Sequence, residues 1–270
     1  MDRTGKLLSA RAGVGITAGI VQHSELRFSR ITVDRPALIV LRHGEKVLES
    51  TRGHWSLASG DAVALAGGQS FDVTNRLSEL GRYEARWLIW DMSIIECFEH
   101  STRDTRPLID ARVLRPMDAH FAAAFNRATE AIEDPKIPIE VAKHRQTEVL
   151  VWLSLLGIRF SSSAPSDLVT RLRRLFESSP AERWTAAAAA QQLALSEATL
   201  RRRLAAKGAT FGDLLVDVRM SLAMLLLQST DEAVTRIALN VGYDSPSRFA
   251  VRFRERFGFA PTAIRGHARR

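Results

Sequence analysis

The feature that most restricts how this chain can fold is a plan used twice after residue 185. The stretches "AAAAAQQLALSEATLRRRL" and "AVTRIALNVGYDSPSRFAVRFRERFG" each lead a small-residue helix through a turn, at Leu195 and at Val241, into a helix opened by a serine, Ser196 and Ser245. A serine oxygen accepts the unpaired amides of a first helical turn, and a proline such as Pro246 suits the position after it. The surrounding pattern predicts six short helices, at 167–178, 185–193, 197–206, 211–228, 233–240 and 246–256, punctuated by Pro180, Gly208 and Gly242. Helices this short cannot form a long bundle; they form compact modules. A helix, a tight turn and a second helix with its apolar side inward is the helix-turn-helix layout, whose second helix can enter a DNA major groove. The joining helix is a spacer of about 27 Å, suited to setting two reading helices into successive grooves about 34 Å apart. Its Asp213 and Asp217 are expected to be solvated or paired with arginines.

Charge gathers in the same region. The net charge is +8; up to residue 165 there are 21 basic against 20 acidic residues, and after it 17 against 10. Of the 38 basic residues 33 are arginine, whose planar fork fits phosphate oxygens and guanine edges. Arg201, Arg202 and Arg203 cannot all point one way, because successive helical residues turn by about 100°. Opposite the Leu200/Leu204 stripe lies Arg202, with Ala198 one turn earlier leaving room for close approach. Arg202 is therefore the expected reader of guanine O6 and N7, and Arg201 and Arg203 flank it as holders of phosphate. With Phe249 and Phe253 inward on the second helix, Ser247, Val251 and Arg254 fall opposite, and Arg248 and Arg252 on one flank. Val251 suits a thymine methyl. Phe249, Phe253, Phe257 and Phe259 are expected core.

Trp184, the "LALSEATLRRRL" run, Phe211, Leu214, Arg219, Ala223, Leu225 and then "IALNVGYDSPSRFAVRFRERFGFAPTAIR" to Arg265 together resemble the C-terminal domain of AraC/XylS-type transcription regulators. The resemblance covers residues 167 to 266. It implies a sequence-specific regulator, an activator rather than a repressor, with double-stranded promoter DNA and RNA polymerase as partners. It also implies base-facing positions at Glu197, Ala198, Arg201 and Arg202, and at Pro246, Ser247, Ala250 and Val251. Proline, alanine and valine offer few hydrogen bonds, so the second module is expected to anchor mainly through the DNA backbone.

Residues 26 to 92 carry the period of strands: "ALIVL", "DAVALA" and "RYEARWLIWD" are separated by "RHGEK", "RGH", "AGGQ" and "LSELG". Such spacing predicts a small barrel or sandwich. After Pro116, "MDAHFAAAFNRATEAIED" and "IPIEVAKHRQTEVLVWLSLLGIRF" read as helices, the second with Val141, Val149, Trp152, Leu153 and Leu156 as an apolar face for the core or for a second subunit. "SSSAPSD" reads as a linker. The expected architecture is α+β with two domains: a cupin-like β-barrel followed by helices over 1–160, a linker over 161–166, and an all-α DNA-binding domain over 167–270 whose two helix-turn-helix motifs are joined by a linker helix. For the first domain the resemblance rests on element order, and implies effector binding, homodimer formation or both.

On a strand, Arg82 and Arg86 share a face with Trp90, an arrangement able to clamp an anion and stack a planar group. Pairing with Glu45, Glu49 or Glu84 is the alternative for these arginines; Lys6, Arg11 and Arg35 are further effector-binding candidates. The expected effector is a fatty acid, an aromatic acid or a nucleotide such as a cyclic dinucleotide. The alternative is a ligand-independent regulator controlled by dimerisation or a protein partner. The seven histidines contain no His-x-His pair, which speaks against a catalytic metal site and a cupin-type enzyme, and no cofactor is expected. Cys97 stands alone, no apolar run reaches the roughly 20 residues of a bilayer span, and "AGVGITAGIV" is too glycine-rich for a signal peptide. The expectation is a cytoplasmic protein with no membrane segment.

Overall fold

In the computed structural model, described for residues 7–99, 106–162 and 168–265, the chain divides into two compact units, residues 1–162 with 228–230, and 163–227 with 231–270. The linker residues 163–167 lie outside the described residues.

The first unit holds strands β1 (Leu7–Arg11), β2 (Gly15–Gln22), β3 (Leu26–Val33), β4 (Ala37–His43), β5 (Glu45–Ser50), β6 (Gly53–Leu57), β7 (Ala62–Leu65), β8 (Gln69–Arg76), β9 (Tyr83–Trp90) and β10 (Ala111–Leu114). They form two antiparallel sheets, ordered β1-β2-β9-β4-β7-β10 and β3-β8-β5-β6. Helices α1 (Met92–Glu99), α2 (Ala119–Glu133) and α3 (Ile139–Leu155) complete the unit. The larger sheet is buried on both faces, so its strands show runs such as "ALIV" rather than simple alternation. One face meets the helices: Leu38, Leu88 and Trp90 pack with Phe121, Phe125, Val149 and Leu153. The other carries Gln22, Tyr83 and Ala85, all buried.

The glycine-rich run at 12–21 lies in β2, which pairs along its length with β9. Helix α3 packs through Val149, Trp152 and Leu153 of the expected apolar face but not through Val141 and Leu156. Its buried stripe is Ala142, Gln146, Val149, Leu150 and Leu153, while Val141, Val151, Leu155 and Leu156 are exposed. The stripe passes through a polar residue because Gln146 Nε2 donates to the Ala128 carbonyl of α2 at 2.8 Å, which satisfies the amide nitrogen, while Oε1 is buried without a hydrogen-bond partner.

The second unit is helical: α4 (Leu168–Ser178), α5 (Ala186–Gln192), α6 (Glu197–Ala205), α7 (Phe211–Ser229), α8 (Val234–Asn240) and α9 (Pro246–Phe257), then a 3-10 turn at Pro261–Arg265. Leu172 and Phe176 of α4 pack with Ala189 and Ala190 of α5, Leu200 and Leu204 of α6, and Leu214 and Val218 of α7. In the second module Ile237, Ala238, Val241, Phe249, Phe253 and Phe257 are buried. Among the described residues no helix is long and apolar enough to cross a membrane.

Candidate nucleic-acid interface

The two modules are built alike down to the turn. Ser196 Oγ accepts from the Thr199 amide at 3.2 Å, and Ser245 Oγ from the Arg248 amide at 3.3 Å. One residue past the C-cap of the leading helix, the backbone is left-handed in both, at Ala194 (φ 55°) and at Gly242 (φ 87°). This conformation reverses the chain so that α6 and α9 leave the turn with their apolar stripes inward.

Buried Leu200 and Leu204 fix the rotation of α6. Ala198, Arg201, Arg202 and Arg203 are exposed and Glu197 is half-buried. Glu197 and Arg201 form an ion pair one turn apart at 2.7 Å. Arg202 and Arg203 have no side-chain partner among the described residues. On α9 the three buried phenylalanines leave Pro246, Ser247, Arg248, Val251, Arg252 and Arg254 exposed, Val251 by 57%, with Ala250 half-buried. Arg252 pairs with Glu255 at 2.9 Å. Thus the sequence-derived DNA positions share the outward sides of two helices.

Helix α7 ties these helices together. Asp217 accepts from Arg173 of α4 at 2.8 Å and from Arg256 of α9 at 2.9 Å. Arg219 donates through Nε to the Pro180 carbonyl at 3.0 Å and through a terminal nitrogen to that of Glu182 at 2.8 Å, and lies 5.8 Å from the Tyr243 ring. Gly242 makes room for it, since a Cβ there would sit 2.6 Å from the guanidinium and 2.7 Å from the Pro180 oxygen. Asp213 accepts from Thr210 Oγ1 at the start of α7. Of the two acids expected to be solvated or paired, Asp217 is therefore the one bound to arginines.

In the first unit Arg82, Arg86 and Trp90 do not assemble into an open clamp. Arg82 pairs with Glu84 at 3.3 Å. Arg86 pairs with Glu133 of α2 and donates to Thr17 Oγ1 at 3.0 Å; burial, then the nearby Arg42, lower its pKa to about 10. Trp90 is 0% exposed and stacks at a tilt on Phe160, ring centres 5.3 Å apart. The physical reason is that this face of β9 is roofed by helices. Arg11 donates to the Ala131 and Ile137 carbonyls at 2.8 and 2.6 Å, closing the end of α2 rather than facing a ligand. Arg35 is half-buried, its charge lying near Asp91, and Lys6 lies outside the described residues. No cluster of three metal-ligating side chains occurs among the described residues.

Sequence reasoning missed a polar group between the sheets. Lys46 of β5 is 2% exposed, and its Nζ donates to Asn75 Oδ1 at 2.9 Å and to the Tyr83 hydroxyl at 3.3 Å. Asn75 Nδ2 donates to Gln22 Oε1 at 3.1 Å. Strand parity held the signal: Lys46 lies two residues before buried Leu48, Gln22 two after Ile20, and Asn75 two after Val73.

The model of a family described as "Helix-turn-helix domain" matches residues 189–267. The transcriptional activator AggR of Escherichia coli is 35% identical over 99 residues, 37% of this chain and 37% of AggR. The virulence regulon transcriptional activator VirF of Shigella flexneri is 32% identical over 91 residues, 34% of this chain and 35% of VirF. The chain thus spans little more than a third of the length of the curated relatives it matches. Over nearly all of its length it is similar in fold to solved ToxT from Vibrio cholerae. An apo form of ToxT carrying a single lysine-to-alanine substitution has a TM-score of 0.68 at 14% identity, covering 94% of this chain and 97% of that one. An unsaturated fatty acid bound form has a TM-score of 0.67 at 13% identity, covering 100% and 99%.

Proposed function

We propose that this chain, whose C-terminal unit is an AraC/XylS-type DNA-binding domain, is a transcriptional activator that reads promoter DNA with α6 and α9 and is governed through its first unit by a small organic anion. The observation that carries the reading is the pair of outward helix faces on one unit, with Arg202, Arg203, Arg248 and Arg254 presented to solvent. Guanidinium groups without a carboxylate beside them lose little by turning to guanine edges and phosphates. Arg202 contacts guanine, Arg203 holds phosphate, and Arg201 reaches DNA only by sharing or leaving Glu197. Glu197, Ala198 and Ser247 shape the close approach, Val251 meets a thymine methyl, and Arg248, Arg252 and Arg254 bind backbone phosphates.

In this reading the protein works in the cytoplasm, recruits RNA polymerase and pairs with a second copy. The exposed side of α3, with Val151 and a 76% exposed Leu155, supports pairing as a means of control. Among the anions expected from the sequence, an organic acid gains support from ToxT, which shares the fold and has been solved with an unsaturated fatty acid. Ligand binding would shift the population of DNA-competent arrangements.

The test is equilibrium binding to promoter fragments at several salt concentrations. Arg202→Ala should cost about 1–3 kcal/mol on the preferred site and less on unrelated DNA. Arg203→Ala should weaken both alike and lower the salt slope by about one unit. Unchanged affinity and unchanged site preference in Arg202→Ala would reject its assignment.

A further inference from the structure

Glu197 and Arg201 meet on the surface of α6 in a one-sided way. Arg201 Nε donates to Glu197 Oε1 at 2.8 Å, and a terminal nitrogen lies 2.7 Å from the same oxygen. That takes two of the five guanidinium N–H groups, on one side of the fork, and leaves three at its end. Glu197 Oε2 accepts no hydrogen bond among the described residues. Both side chains stay open to solvent, Arg201 by 64% and Glu197 by 43%. Ser196 caps the helix and Leu200 is buried, so the pair stands at the leading end of α6 beside Ala198 and Arg202, the end from which such a helix touches base edges.

The pair has no net charge. A phosphate gains from Arg201 but is repelled by Glu197, so the DNA backbone is a poor match for the two together. Base edges are a better one. In the major groove a G·C pair shows two acceptors, guanine N7 and O6, followed by a donor, the cytosine N4 amino group, whereas an A·T pair alternates acceptor, donor and acceptor. The end of the Arg201 fork supplies two parallel donors, and Glu197 Oε2 beside it supplies the acceptor. The ion pair also holds the arginine in place beforehand, which reduces the rotamer freedom lost on contact.

We propose that Glu197 and Arg201 stay paired on DNA and read one G·C base pair together, Arg201 on the guanine and Glu197 on its cytosine. This rests on the DNA-reading proposal above and adds a second specified base pair to the guanine assigned to Arg202. Glu197 then has two effects. It fixes the base pair at one position, and it withholds Arg201 from the phosphates of unrelated sequence. The acid is a specificity residue whose removal strengthens binding to DNA in general.

The experiment uses the full chain. Preferred sites are selected from random duplexes with the native protein, Glu197→Ala, Arg201→Ala and Arg202→Ala, and binding is then titrated at several salt concentrations. Glu197→Ala and Arg201→Ala should lose the preference for G·C at the same position and keep it at the position that Arg202→Ala loses. On unrelated DNA Glu197→Ala should bind more tightly than the native protein, with a salt slope steeper by about one unit, because the freed guanidinium turns to phosphate. A methyl group on cytosine N4 at the shared position replaces the hydrogen that faces the groove and leaves the guanine intact. It should weaken the native protein at least about fivefold and Glu197→Ala far less. If Glu197→Ala selects the same bases with the same slope, or the methyl group weakens both proteins equally, the joint reading is overturned while the Arg202 assignment stands on its own variant. A native protein that selects no site at all would overturn DNA reading itself, and this inference with it.

Discussion

Arg201 and Arg202 are neighbours on α6 with different surroundings, because Glu197 holds one and nothing among the described residues holds the other. Helical angle alone places Arg202 opposite the buried leucines; the Glu197 pair was within reach of the same reasoning, being one turn apart. Arg86 and Trp90 were not legible in this way. Strand parity put them on one face, but what covers that face comes from α2 and residues near Phe160, far along the chain. A single backbone angle supports a stability prediction. Ala194 occupies the left-handed position that Gly242 fills in the second module, and a Cβ there costs roughly 1–2 kcal/mol. Glycine relieves this at some cost in unfolded-chain entropy, so Ala194→Gly should stabilise the second unit by about 0.5–1 kcal/mol. Urea denaturation followed by circular dichroism checks it; a loss of stability would contradict the argument.

Among the elements, α7 does more than separate the modules. Its Asp217 and Arg219 reach α4, α9, the segment before α5 and the turn after α8, so the spacing of α6 and α9 is set by side chains as well as by helix length. Gly242→Ala should therefore destabilise by about 2 kcal/mol or more, since the backbone angle and the Arg219 and Pro180 contacts all oppose a Cβ. It should also weaken binding to a two-box promoter more than binding to a single box, measured by titration of both fragments. A full two-box affinity in a folded Gly242→Ala protein would show that the clamp is dispensable. The helices of this unit were legible because serine, proline and glycine stand at their ends. Strands β1, β2 and β10 and helix α1 were not. β2 contains two glycines and owes its place to pairing with β9 rather than to its own propensity. Helix α3 was found with Val149, Trp152 and Leu153 on its packed face, but Val141 and Leu156 are exposed and the stripe runs instead through Ala142 and Gln146, because pattern reasoning does not place a glutamine in a core.

On the scale of the whole molecule, charge and stability belong to different places. The excess of positive charge lies in the second unit, whereas a group that shapes the pH dependence of stability near neutrality lies inside the first. Lys46 has a pKa of about 7 in the fold against 10.5 ordinarily. Below pH 7 the folded and unfolded chains are both protonated there, and the penalty of a buried charge is fully present. Between about 7 and 10.5 the unfolded chain holds the proton and the folded one does not, so stability rises with pH. Lys46→Met should be more stable than the native chain at pH 6 and should lose that part of the rise, as urea midpoints from pH 6 to 10 would reveal. Equal slopes in the two proteins would mean that the amine keeps its ordinary affinity for protons.

The two outward faces are also unequal: α6 offers a run of three arginines, α9 a proline, a serine and a valine among its cations, and α7 fixes their order. A stretch of DNA that fits such a head has a left and a right end, unlike a palindrome. Cutting the operator out and reinserting it backwards would keep occupancy while turning the regulator to face upstream, so activation should vanish although binding persists.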